Sequence, residues 1–319
     1  MSSATRLDEA GLIRRYFRRR VRGDVVIGVG DDAAITRLPR GFELVTAVDT
    51  LVEGVHFPQG LAPRALGHRA LAVNLSDIAA MGARPLWATL SLSMPSARSA
   101  WLREFASGFF MLADRYGVRL IGGDTVRGPC NISVTVLGCV RPGRAVRRDG
   151  ARAGHDLYVT GAPGDAVMGR LLLEEQPQRA ASLRRRFLFP EPRIAVGQAL
   201  VGIASAMMDV SDGLHDDLRK LALASSVGAD VDAALLPLSG ALKRSAGIMR
   251  ARELALTGGD DYELLFSAPQ TARARISRIA DRLVCPITRI GVIAKCRGVR
   301  WTLAGEPFGF QDTTFQHFS

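Results

Sequence analysis

The chain has 319 residues, 47% of them hydrophobic and 23% charged, with a formal net charge of +11 carried mostly by arginine. That length suits two domains of roughly 150 residues each, and the composition is that of a soluble globular protein rather than a disordered or fibrous one. No run approaches the roughly 20 apolar residues of a membrane span, and the N-terminal arginines precede no apolar signal core, so no membrane is expected and the default location is the cytoplasm.

Cysteines 130, 139, 285 and 296 form no Cys-x-x-Cys pair, which leaves neither a disulfide framework nor a zinc or redox site. The arginine runs at 14–22, 147–148 and 184–186 lack aromatic interleaving. They read as solvated helix faces and a general attraction for anionic substrates, and no nucleic-acid partner is expected.

In chain order, Thr5-x-x-Asp8 with Glu9 predicts a helix start, followed by Leu12, Ile13, Tyr16 and Phe17 at helical spacing. Val25 to Val29 reads as a strand running into Gly30-Asp31-Asp32, and Leu44 to Val48 as a buried strand with Asp49 at its end. Pro63 to Met81 predicts a helix with Leu66, Ala70, Val73 and Ile78 as its apolar stripe, Gly82 as its stop, and Asn74 and Asp77 on one face. A strand from Trp87, a helix from Trp101 to Tyr116, a strand from Val118 to Ile121 opening into Gly122-Gly123-Asp124, and a strand from Ile132 to Val140 complete the first half.

The polar, glycine-rich stretch at 144–154 marks the boundary, giving domains 1–147 and 148–319. The second half restarts with a strand at Leu157 to Thr160. Ala206 to Val210 is then a strand running into Ser211-Asp212-Gly213, with a helix predicted by Leu214, Leu218 and Leu221. Ser211 is expected to be the N-cap of that helix, and the helix N-terminus a seat for phosphate.

Acidic, glycine-flanked segments recur at 30–34, 48–50, 75–77, 122–125, 209–213 and 258–262. Carboxylates are hard oxygen ligands suited to Mg²⁺, and glycine allows close approach of backbone to phosphate, so the set predicts metal-assisted phosphoryl transfer from ATP. Walker and protein-kinase patterns are absent. Asp31 and Asp261 read equally well as turn residues or as neighbours of ligands, while Asp216 and Asp217 read as complements to a helix dipole.

The ordered set of motifs resembles the thiamine-monophosphate kinase family. It comprises Gly-x-Gly-Asp-Asp-Ala-Ala at 28–34, Val-Asp-Thr-Leu-Val-Glu-Gly-Val-His-Phe at 48–57, Leu-Ala-Val-Asn-Leu-Ser-Asp-Ile-Ala-Ala-Met-Gly-Ala at 71–83, and Gly-Gly-Asp-Thr at 122–125. Asp-Val-Ser-Asp-Gly-Leu at 209–214, Gly-Gly-Asp-Asp-Tyr-Glu-Leu at 258–264 and the closing Phe315-x-His317-Phe318 complete it.

This resemblance implies the aminoimidazole-ribonucleotide-synthetase-like α/β (α+β) fold of two domains. The N-terminal sheet would pack across a homodimer and the C-terminal α/β domain would close the cleft for ATP and substrate. The reaction implied is ATP-dependent phosphorylation of thiamine monophosphate to thiamine diphosphate. Asp32, Asp49, Asp77, Asp124, Asp209 and Asp212 would hold several Mg²⁺ ions. Gly123, Asp124, Arg148 and Ser211 would contact ATP, and His56, Asp260 and Phe315 the thiamine phosphate. No general base is assigned, because a phosphate-monoester acceptor is already anionic.

Ala47 and Val48 stand where the family commonly has hydroxyl residues, and Asp260 where it often has glutamate. A related enzyme with another acceptor, or a non-catalytic nucleotide-binding relative, is the alternative. The missing N-terminal and C-terminal reactive cysteines count against two of the related enzymes.

Overall fold

The computed structural model describes residues 8–21, 23–175, 178 and 180–312. Its chain divides into two compact units, one of residues 1–78 and 84–142, the other of residues 79–83 and 143–319.

The first unit opens with α1 (Glu9–Leu12), near the helix start expected from Thr5-x-x-Asp8, and Asp8 is its N-cap, accepting the Gly11 N–H at 2.8 Å. A π-helical stretch, Ile13–Phe17, continues it. Strands β1 (Val25–Ile27) and β2 (Ile35–Thr36) form a short antiparallel pair flanking the Gly30-Asp31-Asp32 loop. Next come β3 (Glu43–Val52), α2 (Pro63–Ala80), β4 (Arg84–Met94), α3 (Ser99–Tyr116), β5 (Arg119–Arg127) and β6 (Asn131–Val140). The four long strands form one sheet in the order β3-β6-β4-β5, with only β4 and β5 parallel.

Alternation along β6, where Ile132, Val134 and Val136 are buried and Ser133 and Thr135 are not, gives this sheet one packed face and one open face. Helix α2 departs from the expected single stripe. It is buried on every side from Ala65 to Ser76, taking His68, Arg69 and Asn74 inside with its apolar residues.

Two sequence expectations change here. Asp49 does not end its strand, and Gly122-Gly123-Asp124 does not follow one, for β3 runs on to Val52 and β5 to Arg127. Backbone pairing with β6 and β4 continues through these residues, because a strand with one open face tolerates polar side chains there.

The second unit contains β7 (Asp156–Thr160), α4 (Asp165–Glu175), α5 (Ala181–Leu188), α6 (Ile194–Leu200), β8 (Ala206–Val210), α7 (Leu214–Ala224), β9 (Gly228–Asp232), α8 (Gly240–Ala246) and α9 (Ile248–Thr257). It ends with β10 (Glu263–Ala268), α10 (Arg273–Leu283), β11 (Ile287–Ala294), β12 (Gly298–Leu303) and β13 (Glu306–Pro307). The strands make a seven-stranded sheet in the order β13-β12-β9-β11-β7-β10-β8. Leu157, Val159, Met208, Val210, Leu265 and Ile290 from the sheet and Leu214, Leu218 and Leu221 from α7 share one core. Among the described residues no helix is long and apolar enough to cross a membrane.

Candidate active site

In the first unit, Asp32 is exposed in the loop after β1, where its N–H donates to Asp31 Oδ1 at 2.9 Å. Asp49 is placed by a side chain that sequence reasoning left without a role. Its N–H donates to Asn74 Oδ1 at 2.8 Å, and Asn74 in turn donates to the Ala70 carbonyl at 3.0 Å from a fully buried position on α2. Asp77 lies one turn further along the same helix face, partly exposed. The 71–83 motif thus binds the backbone of β3 at the very residue whose carboxylate is the candidate ligand.

His56 accepts the Val52 N–H at Nδ1 (3.0 Å), which fixes its ring in the turn after β3.

The register separates Asp49 from Asp124. Asp49 is opposite Val134, which is opposite Leu90, itself opposite Gly123; Asp124 belongs to the adjacent row with Ser91, Ser133 and Thr50. A 2.7 Å contact between Thr50 Oγ1 and Ser133 Oγ confirms that this second row shares a face. Asp124 therefore lies on the open face and Asp49 on the other. They also sit on opposite edge strands, three strand spacings or about 14 Å apart.

Gly123, at φ +148°, allows β5 to pass β4 closely, since a Cβ there would stand 1.9 Å from the Leu90 carbonyl oxygen. Gly123→Ala is expected to cost about 1–3 kcal/mol by overpacking. A thermal melt of the variant checks this.

In the second unit the fifth and sixth motifs meet backbone to backbone. Asp260 N–H donates to the Ser211 carbonyl at 2.9 Å and Tyr262 N–H to that of Val210 at 2.8 Å. Asp260 has φ +71°, and its Oδ1 accepts the Tyr262 hydroxyl at 3.2 Å. Ser211, Asp212 and Asp260 are thereby brought together, with Asp209 almost buried on the adjacent edge strand β8.

Ser211 is not the N-cap expected of it. Helix α7 begins after Gly213, and no side chain caps it there. Asp217 shapes the turn instead, its Oδ2 accepting the N–H groups of both Ser211 (2.9 Å) and Asp212 (3.0 Å). Burial pushes the Asp217 carboxyl up, against the pull of Lys220. The Lys220 ammonium is itself raised, since its hydrogen bonds to Asp212 and Asp216 outweigh the burial that opposes its charge.

Two further acids of the sixth motif are structural. Asp261 is buried and accepts the N–H groups of Gly164 (2.8 Å) and Ala166 (3.4 Å) at the start of α4, and its burial raises its pKa well above the usual range. Glu263 is fully buried beside Arg186 and Arg193, with Arg193 Nε donating at 2.7 Å and the Thr160 hydroxyl at 2.6 Å. Burial opposes its charge, but the two guanidiniums win and hold it down at about 2.

Arg148 is exposed, and its guanidinium has no partner among the described residues, whereas Arg147 is paired with Asp149. Phe315 and the closing Phe-x-His-Phe motif lie outside the described residues.

The family model for AIR synthase related protein, N-terminal domain, matches residues 30–140, and that for the C-terminal domain matches residues 152–303. The expected AIR-synthase-like two-domain fold is therefore shown. Thiamine-monophosphate kinase of Escherichia coli K12 is 43% identical over 98% of both chains. The crystal structure of thiamine-monophosphate kinase from Stenotrophomonas maltophilia K279a has a TM-score of 0.85 and 46% identity, covering 90% of this chain and 93% of that one. AaThiL complexed with AMPPCP and TMP has a TM-score of 0.76 and 33% identity, covering 91% and 92%. The chain belongs, within the AIR-synthase-related class, to the thiamine-monophosphate kinase family.

Proposed function

We propose that the protein transfers the γ-phosphoryl group of ATP directly to the phosphate of thiamine monophosphate, forming thiamine diphosphate in the cytoplasm. The observation that carries this reading is similarity over nearly the whole chain to a relative complexed with both AMPPCP and TMP. In this chain the candidate metal-holding positions are occupied only by carboxylates, and the turn at 211–213 and the strand position of Asp49 are each braced by a buried side chain.

The donor chemistry suits Mg²⁺, because Asp32, Asp49, Asp77, Asp124, Asp209 and Asp212 offer only hard oxygens and none is accompanied by a thiol or paired histidines. These six residues would hold the ions, which supply charge neutralisation to the crowded phosphates. Gly123 and Ser211 would offer backbone to ATP, and Arg148 a guanidinium to its phosphates. His56, Asp260 and Phe315 would orient the thiamine phosphate so that its anionic oxygen lies in line with the γ-phosphate, with no base needed.

We further propose a homodimer. The open sheet face exposes Leu44, Val48 and Val126, with Val48 61% exposed at the edge strand β3, and such a surface favours a cover. The register of one copy keeps its own Asp49 and Asp124 on opposite faces and opposite edge strands, so a site that used both would draw one of them from the second copy.

The test is product identification with purified protein, Mg-ATP and either thiamine monophosphate or free thiamine. Thiamine diphosphate formed from the monophosphate alone is the expected result. Hydrolysis of ATP without that product would reject the acceptor.

A further inference from the structure

Lys220, on the second turn of α7, is surrounded by acid. Its Nζ pairs with Asp212 Oδ2 and lies 2.9 Å from both Asp216 Oδ2 and Asp217 Oδ1. Oxygens of these three aspartates lie within 4.8 Å of one another, a spacing at which uncompensated carboxylates repel. The three differ in freedom. Asp217 is buried and commits its second oxygen to the backbone of the 211–212 turn, whereas the Asp212 side chain is 44% exposed. Asp216 lies between the two, its side chain 27% exposed and its Oδ1 also 3.7 Å from Arg219 Nη1, so Asp212 is the most exposed of the three and the freest to exchange partners.

We propose that Lys220 is a built-in counter-ion that competes with divalent cations for Asp212, so that this lysine sets how tightly a cation is held at the Ser211–Gly213 turn. The proposal rests on the metal-holding role of Asp212 put forward above. Lys220 is a positioning residue in this scheme and not a catalytic one, since it acts through the carboxylate of Asp212.

Removing the ammonium has two opposing consequences. It frees the Asp212 carboxylate to sample other rotamers, which weakens cation binding by the ordering of one short side chain. It also removes a full like charge at hydrogen-bond distance from the ligand, which strengthens cation binding. The charge is the larger contribution, because an adjacent unit charge in a partly buried setting acts more strongly than the freedom of two side-chain torsions. Arginine at the same position would keep the charge and therefore the competition.

The experiment is a titration with Mn²⁺ followed by the EPR signal of the free ion, on wild type, Lys220→Met, Lys220→Arg and Asp212→Asn, with thermal melts of each. Lys220→Met is expected to bind Mn²⁺ roughly tenfold more tightly, with the Mg²⁺ concentration for half-maximal velocity falling in parallel, while Lys220→Arg stays near wild type. Unchanged or weaker Mn²⁺ binding by Lys220→Met, with Asp212→Asn weakened, overturns the role of Lys220 and leaves the metal role of Asp212 standing. Asp212→Asn binding Mn²⁺ as wild type does overturns both. Should loss of the lysine unfold the protein by stranding the Asp217 charge, the comparison is repeated in an Asp217→Asn background, where no buried carboxylate remains at that position. The same tightening on adding Lys220→Met is expected there, and its absence would equally sink the proposal.

Discussion

Mixing Asp49→Asn and Asp124→Asn subunits is expected to restore up to about a quarter of wild-type turnover, although each variant alone should lose turnover by about 10²–10³. The reason lies in the register of the first-unit sheet. Asp49 and Asp124 occupy adjacent rows on opposite edge strands, and hence opposite faces, of a single copy. If one site takes Asp49 from one subunit and Asp124 from its partner, each heterodimer has one site with both changes and one with neither. Half of the dimers in an equal mixture are heterodimers and half of their sites are intact, which gives about a quarter. Co-expression with two affinity tags and assay of thiamine diphosphate formation make the measurement, and the doubly tagged species isolated from the mixture should reach about half of wild-type turnover, since one of its two sites is intact. A heterodimer no more active than its parents would show that both aspartates serve within one copy, or that they do not serve one site.

Much of this arrangement is legible in the sequence, because short-range signals determine it. The strand from Ala206 to Val210 and the helix from Leu214 follow from apolar runs and helical spacing. The candidate ligands are visible as acid beside glycine, and the family resemblance orders them. What escapes a local reading depends on residues distant in the chain. Whether Asp49 and Asp124 share a face is decided by pairing through β6 and β4, and nothing in either motif records the count of intervening strands. Asn74 looked like a neighbour of Asp77 on its helix, yet its work is to hold the β3 backbone 25 residues earlier. Asp217 read as a helix-dipole residue because it falls in the first turn. Its i−5 and i−6 amide contacts could be suspected only from the turn that precedes the helix.

Glu263→Gln is expected to destabilise the protein by about 3–5 kcal/mol, the range for breaking one side of a buried ion pair, and to lower its melting temperature by roughly 10 °C. Glu263 is fully buried, and Arg186 and Arg193 reach it from α5 and from the start of α6. Glutamine keeps the size and one acceptor oxygen but removes the charge that the two guanidiniums share at hydrogen-bond distance. The same carboxylate gives the effect a pH signature. Its pKa of about 2 in the fold lies below the ordinary 4.5, so its contribution is fully present above about pH 4.5 and is lost as pH falls toward 2. Asp261 and Asp217 run the other way, since burial raises both and the fold then binds their protons more tightly than the unfolded chain does. The wild-type acid limb therefore mixes opposing contributions, but the difference between wild type and Glu263→Gln isolates the one that Glu263 makes. Melting temperatures of the two proteins should stand furthest apart above pH 4.5 and converge as the medium is acidified. A gap that stayed constant through that range would mean that Glu263 acts by shape alone and that its charge adds nothing to the link between β10 and the two arginines.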